Sequence, residues 1–289
     1  MSHKSKVCLV MQIKQRYQSM ESYGQSKHQD KIDARNGTGD GIQDKIYSYS
    51  TMKNYMKHAN YYAAYCEKEH GCKTLDQCRP YVNEWLQSRI DAGLSAHTIK
   101  LESAALAKLY GCSTTEFIKT PSRIRSNITR SRGEVKTDKH FSESRNRDFV
   151  DFCRNTGLRR SEITALRGNQ LRFDERGNAY IEVKGKGGRV RMAPILNNDS
   201  KVIERLQNAG DNRAWDRVPH NADIHSYRSD YATAIYKAAE RPLETLEHKD
   251  LYICRGDLAG RVYDRQAMLQ ASEALGHSRV EVIAGNYLR

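Results

Sequence analysis

Thr156-Gly157-Leu158-Arg159-Arg160-Ser161-Glu162 reads as one helix ending and another beginning. Phe149, Val150 and Phe152 enter a helix that stops near Gly157, where the chain can reverse, and Ser161 to Arg167 supply the next one. Arg159 then stands at the opening of that second helix. A guanidinium beside helix N-terminal amides makes a site for an anion, although arginines at helix starts are commonplace and this one settles nothing alone.

Downstream the periodicity changes from helical to two. Leu171 to Phe173, Ala179 to Val183 and Arg189 to Ile195 read as strands, joined by turns at Gly177-Asn178 and Gly185 to Gly188 into a three-stranded antiparallel sheet. Helical patterns return at Asp199 to Asn208, His225 to Ala239, Arg265 to Ala274 and Val280 to Leu288. Residues 141–289 therefore form one mixed domain. Upstream, residues 47–118 read as a small helical bundle. Ser50 or Thr51 caps a helix with the stripe Met52, Tyr55, Met56, Ala59, Ala63, Cys66; a second buries Val82, Trp85, Leu86 and Ile90; a third runs from Ser95 through Ile99, Leu106 and Leu109 to Gly111. The fold class is α+β and mainly α.

Two further segments complete the chain. In residues 1–46, Leu9, Ile13, Tyr17 and Met20 recur at helical spacing, and Gly37, Gly39 and Gly41 mark a polar linker, so a separate tethered helix is expected. Residues 119–140 read as a basic linker between the domains. Lys119, Arg123, Arg125, Arg130, Arg132, Lys136 and Lys139 stand there against only Glu134 and Asp138. Such a run is either solvated or wraps a phosphate backbone, and its position between folded units favours the second.

Composition narrows the partners. Net charge is +13 over 289 residues, a field that favours a polyanion, with nucleic acid ahead of a membrane surface. The bundle cations Lys53, Lys57, Lys73, Arg79, Arg89 and Lys100 suit a solvated face or a phosphate-tracking one equally. No apolar run is long enough to span a membrane, and the N-terminus lacks a secretory h-region. Seven scattered cysteines then read as reduced thiols of a cytoplasmic protein. Cys66, Cys72 and Cys78 with His70 lack the paired spacing of a zinc site, so no metal is expected.

Three more clusters bear chemistry in the mixed domain. Lys186 lies at the tip of the glycine-rich hairpin Val183-Lys184-Gly185-Lys186-Gly187-Gly188-Arg189, where it is either an ordinary exposed turn residue or one that reaches a DNA groove or an active site. His225 and Arg228, three apart on a helix, converge on one face. Leu275-Gly276-His277 is followed by Tyr287 in Gly285-Asn286-Tyr287-Leu288-Arg289.

Arg, Lys, His-x-x-Arg, Leu-Gly-His and Tyr, in that order behind a small helical domain, resemble the tyrosine recombinase (phage integrase) family over roughly residues 48–289. The resemblance implies a core-DNA-binding domain at 47–118 and a catalytic domain at 141–289. It implies that Arg159 and Arg228 clamp the scissile phosphate, that His225 and His277 add hydrogen bonds, and that His225 helps to move the tyrosine proton. Lys186 protonates the departing 5′ oxygen, Glu162 orients the site, and Tyr287 attacks phosphorus to leave a 3′-phosphotyrosyl link. A phenol of pKa near 10 needs surrounding cations or a base to act as a nucleophile, and the arginines provide that field. No metal ion, ATP or other cofactor is expected. The implied partners are double-stranded DNA attachment sites, a homo-tetramer built as a dimer of dimers, a Holliday junction between them, and accessory bending or excision factors.

Two departures from the family pattern stand out. One extra residue separates His277 from Tyr287, and the chain ends soon after, without the tail that relatives exchange between protomers. The N-terminal helix (Val7 to Tyr23) is expected to take that tail's place as a subunit or accessory-DNA contact, or else to pack on its own bundle. Residues 242–263 look like an insertion. Within this frame an integrase of a mobile element leads. A Xer-like resolvase, a non-catalytic DNA-binding regulator and a type IB topoisomerase are the alternatives.

Overall fold

The computed structural model describes residues 7–39, 41–124, 141–185, 188–277 and 279–288. The chain divides into two units, Met1–Arg123 and Ile124–Arg289.

The first unit is helical: α1 (Leu9–Gln18), α2 (Lys27–Arg35), α3 (Tyr49–His70), α4 (Leu75–Cys78), α5 (Val82–Asp91) and α6 (Ala96–Tyr110). α3 starts at Ser48, whose hydroxyl accepts the Thr51 amide, two residues before the cap expected from sequence, and it stops at Gly71 with φ 64°. Ser95 and Gly111 bound α6 in the same way.

Of the two arrangements expected for the N-terminal helix, the structure shows packing on its own bundle. Leu9, Ile13, Tyr17, Met20 and Ile46 are buried in one core with Met52, Tyr62, Leu86, Ile99 and Leu106. The Tyr17 hydroxyl donates to the carbonyl of Ala105 at 2.8 Å, and the Lys108 ammonium holds the carbonyls of Ile42 and Gln43. The reason is the stripe itself, which removes apolar area from water by closing on the nearest bundle. α2 falls inside the expected linker. It buries no residue and so has no apolar period to read; Ser26 caps it, and Lys45 and the Tyr47 hydroxyl fasten its Asp30.

The second unit contains α7 (Arg147–Thr156), α8 (Arg160–Ala165), β1 (Leu171–Phe173), β2 (Ala179–Lys184), β3 (Val190–Pro194), α9 (Ser200–Ala209), α10 (Ile224–Ala239), β4 (Leu251–Ile253), β5 (Val262–Asp264), α11 (Arg265–Leu275) and α12 (Glu281–Asn286). The first three strands form an antiparallel sheet in the order β1-β2-β3, with Leu171 opposite Ile181 and Val183 opposite Arg191. α10 runs between two cores. Tyr227 joins Phe149, Ile163, Ile181 and Val202 on one side, while Tyr231 and Tyr236 join Met268, Leu275 and Ile283 on the other. The segment at 242–263 holds β4 and all but the last residue of its antiparallel partner β5, which leads directly into α11. Among the described residues no helix is long and apolar enough to cross a membrane.

Candidate active site

The site is built where four chain segments meet the C-terminal end of α11. That helix stops at Gly276, φ 71°, which leaves its last carbonyls without helical partners. Three guanidiniums supply the missing donors. Arg191 Nε donates to Ala274 at 3.0 Å, Arg159 to Leu275 at 3.5 Å and Arg228 to Leu275 at 2.5 Å. The negative end of a helix dipole stabilises cations in this position.

One carboxylate serves two of these arginines. Glu162 accepts both forks of Arg191 at 2.9 Å, together with the backbone amide and the guanidinium of Arg159 at 2.7 Å. Burial raises the Glu162 carboxyl, but the Arg191 hydrogen bonds and the Arg159 amide outweigh it and hold the group at about 2. Three arginines against one carboxylate leave the C-terminal end of α11 in a cationic surrounding.

α10 brings His225 and Arg228 in on one face, as the i, i+3 spacing predicts. Arg228 is only 1% exposed. Its guanidinium also donates to the Gly157 carbonyl, and its Nε lies 3.4 Å from the Tyr287 hydroxyl. Burial lowers its pKa to about 10, which leaves it charged at neutral pH. Gly157 has φ 57°, and a Cβ there would sit 2.1 Å from the Tyr231 ring, so the turn of the Thr156–Glu162 stretch admits no side chain.

Tyr287 lies just past α12, on the core of its own unit, with its hydroxyl 3.2 Å from His277 Nε2. The His225 and His277 rings each lie 5.3 Å from the tyrosine ring. Burial, then the charges of Arg228, Arg159 and Arg191, press His277 down to about 4. A pocket of about 390 Å³ is lined by Arg159, Arg160, His225, Arg228 and Tyr287, with Ala222 to Ile224 beside them. Arg160 donates to the carbonyls of Pro219 and Ala222 at 2.6 Å each, fixing the loop that leads into α10.

The structure thus gathers Arg159, Glu162, His225, Arg228, His277 and Tyr287. Lys186 lies outside the described residues, as do Arg125, Arg130, Arg132, Lys136 and Lys139. Arg123 is exposed and lines a groove of the first unit with Lys119, Lys100 and His97. Arg191 was not singled out from the sequence. Strand parity carried the signal, because Arg191 shares the inward face of β3 with Ala193, and Ile195 just past the strand continues the same alternation. Cys66, Cys72 and Cys78 are core residues, and no described group of three His, Cys, Asp or Glu side chains is placed to hold a metal ion.

The architecture of helical unit, three-stranded sheet and helices around α10 defines a class: the chain has the tyrosine recombinase fold. Among solved structures it is similar to the XerH site-specific recombinase bound to difH substrate in a pre-cleavage complex, with TM-score 0.51, 18% identity, and coverage of 95% of this chain and 89% of that one. The Tn1549 transposon integrase in complex with circular intermediate DNA gives TM-score 0.45 at 13% identity, covering 92% of this chain and 96% of that one. No protein-family model matches the sequence, and no curated protein matches it.

Proposed function

We propose that this chain is a site-specific DNA recombinase that cuts and rejoins duplex DNA through Tyr287. The observation that carries the reading is the tyrosine hydroxyl held between Arg228 Nε and His277 Nε2, on the wall of a pocket lined by Arg159 and His225.

A DNA phosphate in that pocket meets the Arg159 and Arg228 guanidiniums, which neutralise the charge that grows on its oxygens in the transition state. The Tyr287 oxygen forms a bond to phosphorus and the bond from phosphorus to the 5′ oxygen breaks. The phenolic proton passes to His277 and not to His225, the residue the family resemblance implied, because His277 Nε2 lies 3.2 Å from the hydroxyl and is neutral at physiological pH through its burial and its arginine neighbours. His225 hydrogen-bonds a phosphate oxygen. Lys186 gives its proton to the 5′ oxygen. The 3′-phosphotyrosyl link keeps the phosphodiester energy, and the reverse steps reseal either the same strand or an exchanged one. Strand exchange takes place in a tetramer on two attachment sites, through a Holliday junction, with accessory factors biasing integration or excision. The basic residues Arg123, Arg125, Arg130, Arg132, Lys136 and Lys139 track the DNA backbone.

The test uses duplexes selected for binding from a random-sequence pool, then nicked near the bound centre. Wild type is expected to yield a covalent protein–DNA adduct on a denaturing gel and Tyr287→Phe none; an adduct that survives the substitution overturns the assignment. Arg159→Ala is expected to lower cleavage about 100- to 1000-fold while affinity changes little, since one phosphate contact among many contributes a small share.

A mobile-element integrase and a Xer-like resolvase share this chemistry. The N-terminal helix is packed into the core of its own unit and does not separate the two readings, which differ in substrate. An integrase joins sites on two DNA molecules, whereas a resolvase excises the DNA between direct repeats on one.

A further inference from the structure

We propose that Arg191 is a positioning residue of this site, which clamps the Glu162 carboxylate and the Ala274 carbonyl at once and so fixes Arg159 and the end of α11 in one frame. The inference rests on the reading of Tyr287 as the nucleophile.

The geometry is specific to a guanidinium. Arg191 presents two parallel donors to Glu162, each at 2.9 Å, and its third side, Nε, reaches Ala274 at 3.0 Å. The side chain is 6% exposed and the Glu162 side chain 3%, so neither has water to fall back on. Glu162 in turn holds Arg159 by both its amide and its guanidinium. Arg191 therefore sets the position of a pocket arginine on one side and, on the other, the helix end that leads within three residues to His277. It lines a different cavity from Tyr287, beside Gln270, Glu273 and Gly276, and so acts through its neighbours.

Gly276 belongs to the same device. A Cβ on Gly276 would lie 2.7 Å from Arg191 Cδ, whose head is pinned by three hydrogen bonds. The glycine of Leu275-Gly276-His277 thus closes α11 and also leaves room for the clamp.

A charge effect accompanies the geometry. The charged and titratable groups around His277 are Arg228 from α10, Arg159 and Glu162 at the start of α8, Arg191 from β3, and the Tyr287 hydroxyl. Removing the Arg191 charge weakens the force that keeps His277 neutral, so its proton affinity rises.

Single-turnover cleavage of the nicked duplex is measured across pH for wild type, Arg191→Met, Arg191→Lys and Gly276→Ala, with DNA affinity and melting temperature followed in parallel. Arg191→Met is expected to cut about 100-fold more slowly and to move the acid limb of the profile to higher pH, which a merely structural loss would not do. Arg191→Lys keeps the charge without the fork, so its acid limb stays near that of wild type while the rate falls. Gly276→Ala is expected to slow cutting with affinity retained. Wild-type rates in Arg191→Lys and Gly276→Ala, or an unmoved acid limb in Arg191→Met, overturn the proposal. If Arg191→Met does not fold, the other two variants decide it by rate alone. A wild-type protein that forms no Tyr287-dependent adduct overturns the recombinase reading instead, so the two failures are distinct.

Discussion

Arg228 is 1% exposed, and a buried charge costs several kcal/mol unless its hydrogen bonds replace the lost water. Two main-chain carbonyls and the tyrosine oxygen do so here. A lysine has the charge but not the spread, and Arg228→Lys is expected to abolish adduct formation and to lower the melting temperature. The neighbouring groups predict an acid sensitivity with two windows. His277 is depressed from 6.5 to about 4, so its contribution to stability is complete above pH 6.5 and is lost as pH falls toward 4. Glu162 is depressed from 4.5 to about 2, so its contribution is complete above pH 4.5 and is lost as pH falls through 2. The Glu162 window amounts to a loss on the order of 3 kcal/mol. Melting curves between pH 8 and pH 2 check both: His277→Gln is expected to flatten the upper limb and Glu162→Gln the lower one.

At the scale of the element, α11 is ordered from both ends. Asp264 caps its start by accepting the Gln266 amide and takes a two-pronged bond from Arg241, which holds its carboxyl far below the usual range. The three arginines close the other end. The excess positive charge there predicts that inorganic phosphate stabilises the protein. At ten times its dissociation constant the gain is about 1.4 kcal/mol, read as a rise in melting temperature that Arg159→Ala reduces. The elements of the second unit were legible in the sequence to within a few residues, because strands and helices alternate with clear turn residues. The β4–β5 pair was not. Each strand has three residues, too short for a period to show, and the pairing became evident only where Asp264 entered the cap of α11. The site was legible as an ordered set of residue types. Its frame was not, since a bond from arginine to a main-chain carbonyl leaves no mark on the residue that supplies the carbonyl.

For the molecule as a whole, the first unit depends on its own N-terminal residues. Leu9, Ile13, Tyr17 and Met20 are nearly fully buried, and each such side chain contributes about 1.5–3 kcal/mol. Deleting residues 1–46 is therefore expected to unfold the first unit rather than to remove a detachable contact; differential scanning calorimetry should show a lost or strongly lowered transition. The sequence displayed this stripe clearly but not its partner, because a helical period says which face is apolar and not what covers it. The way the arginines are held has a consequence for mutational drift. Their acceptors at Gly157, Ala274 and Leu275 are carbonyl oxygens, and every amino acid brings one. Substitutions at Ala274 and Leu275 are thus filtered by volume and shape and not by hydrogen-bonding chemistry. A lineage that keeps the arginines, Glu162 and the two glycines can therefore change both of these neighbours and still inherit the same charge cradle.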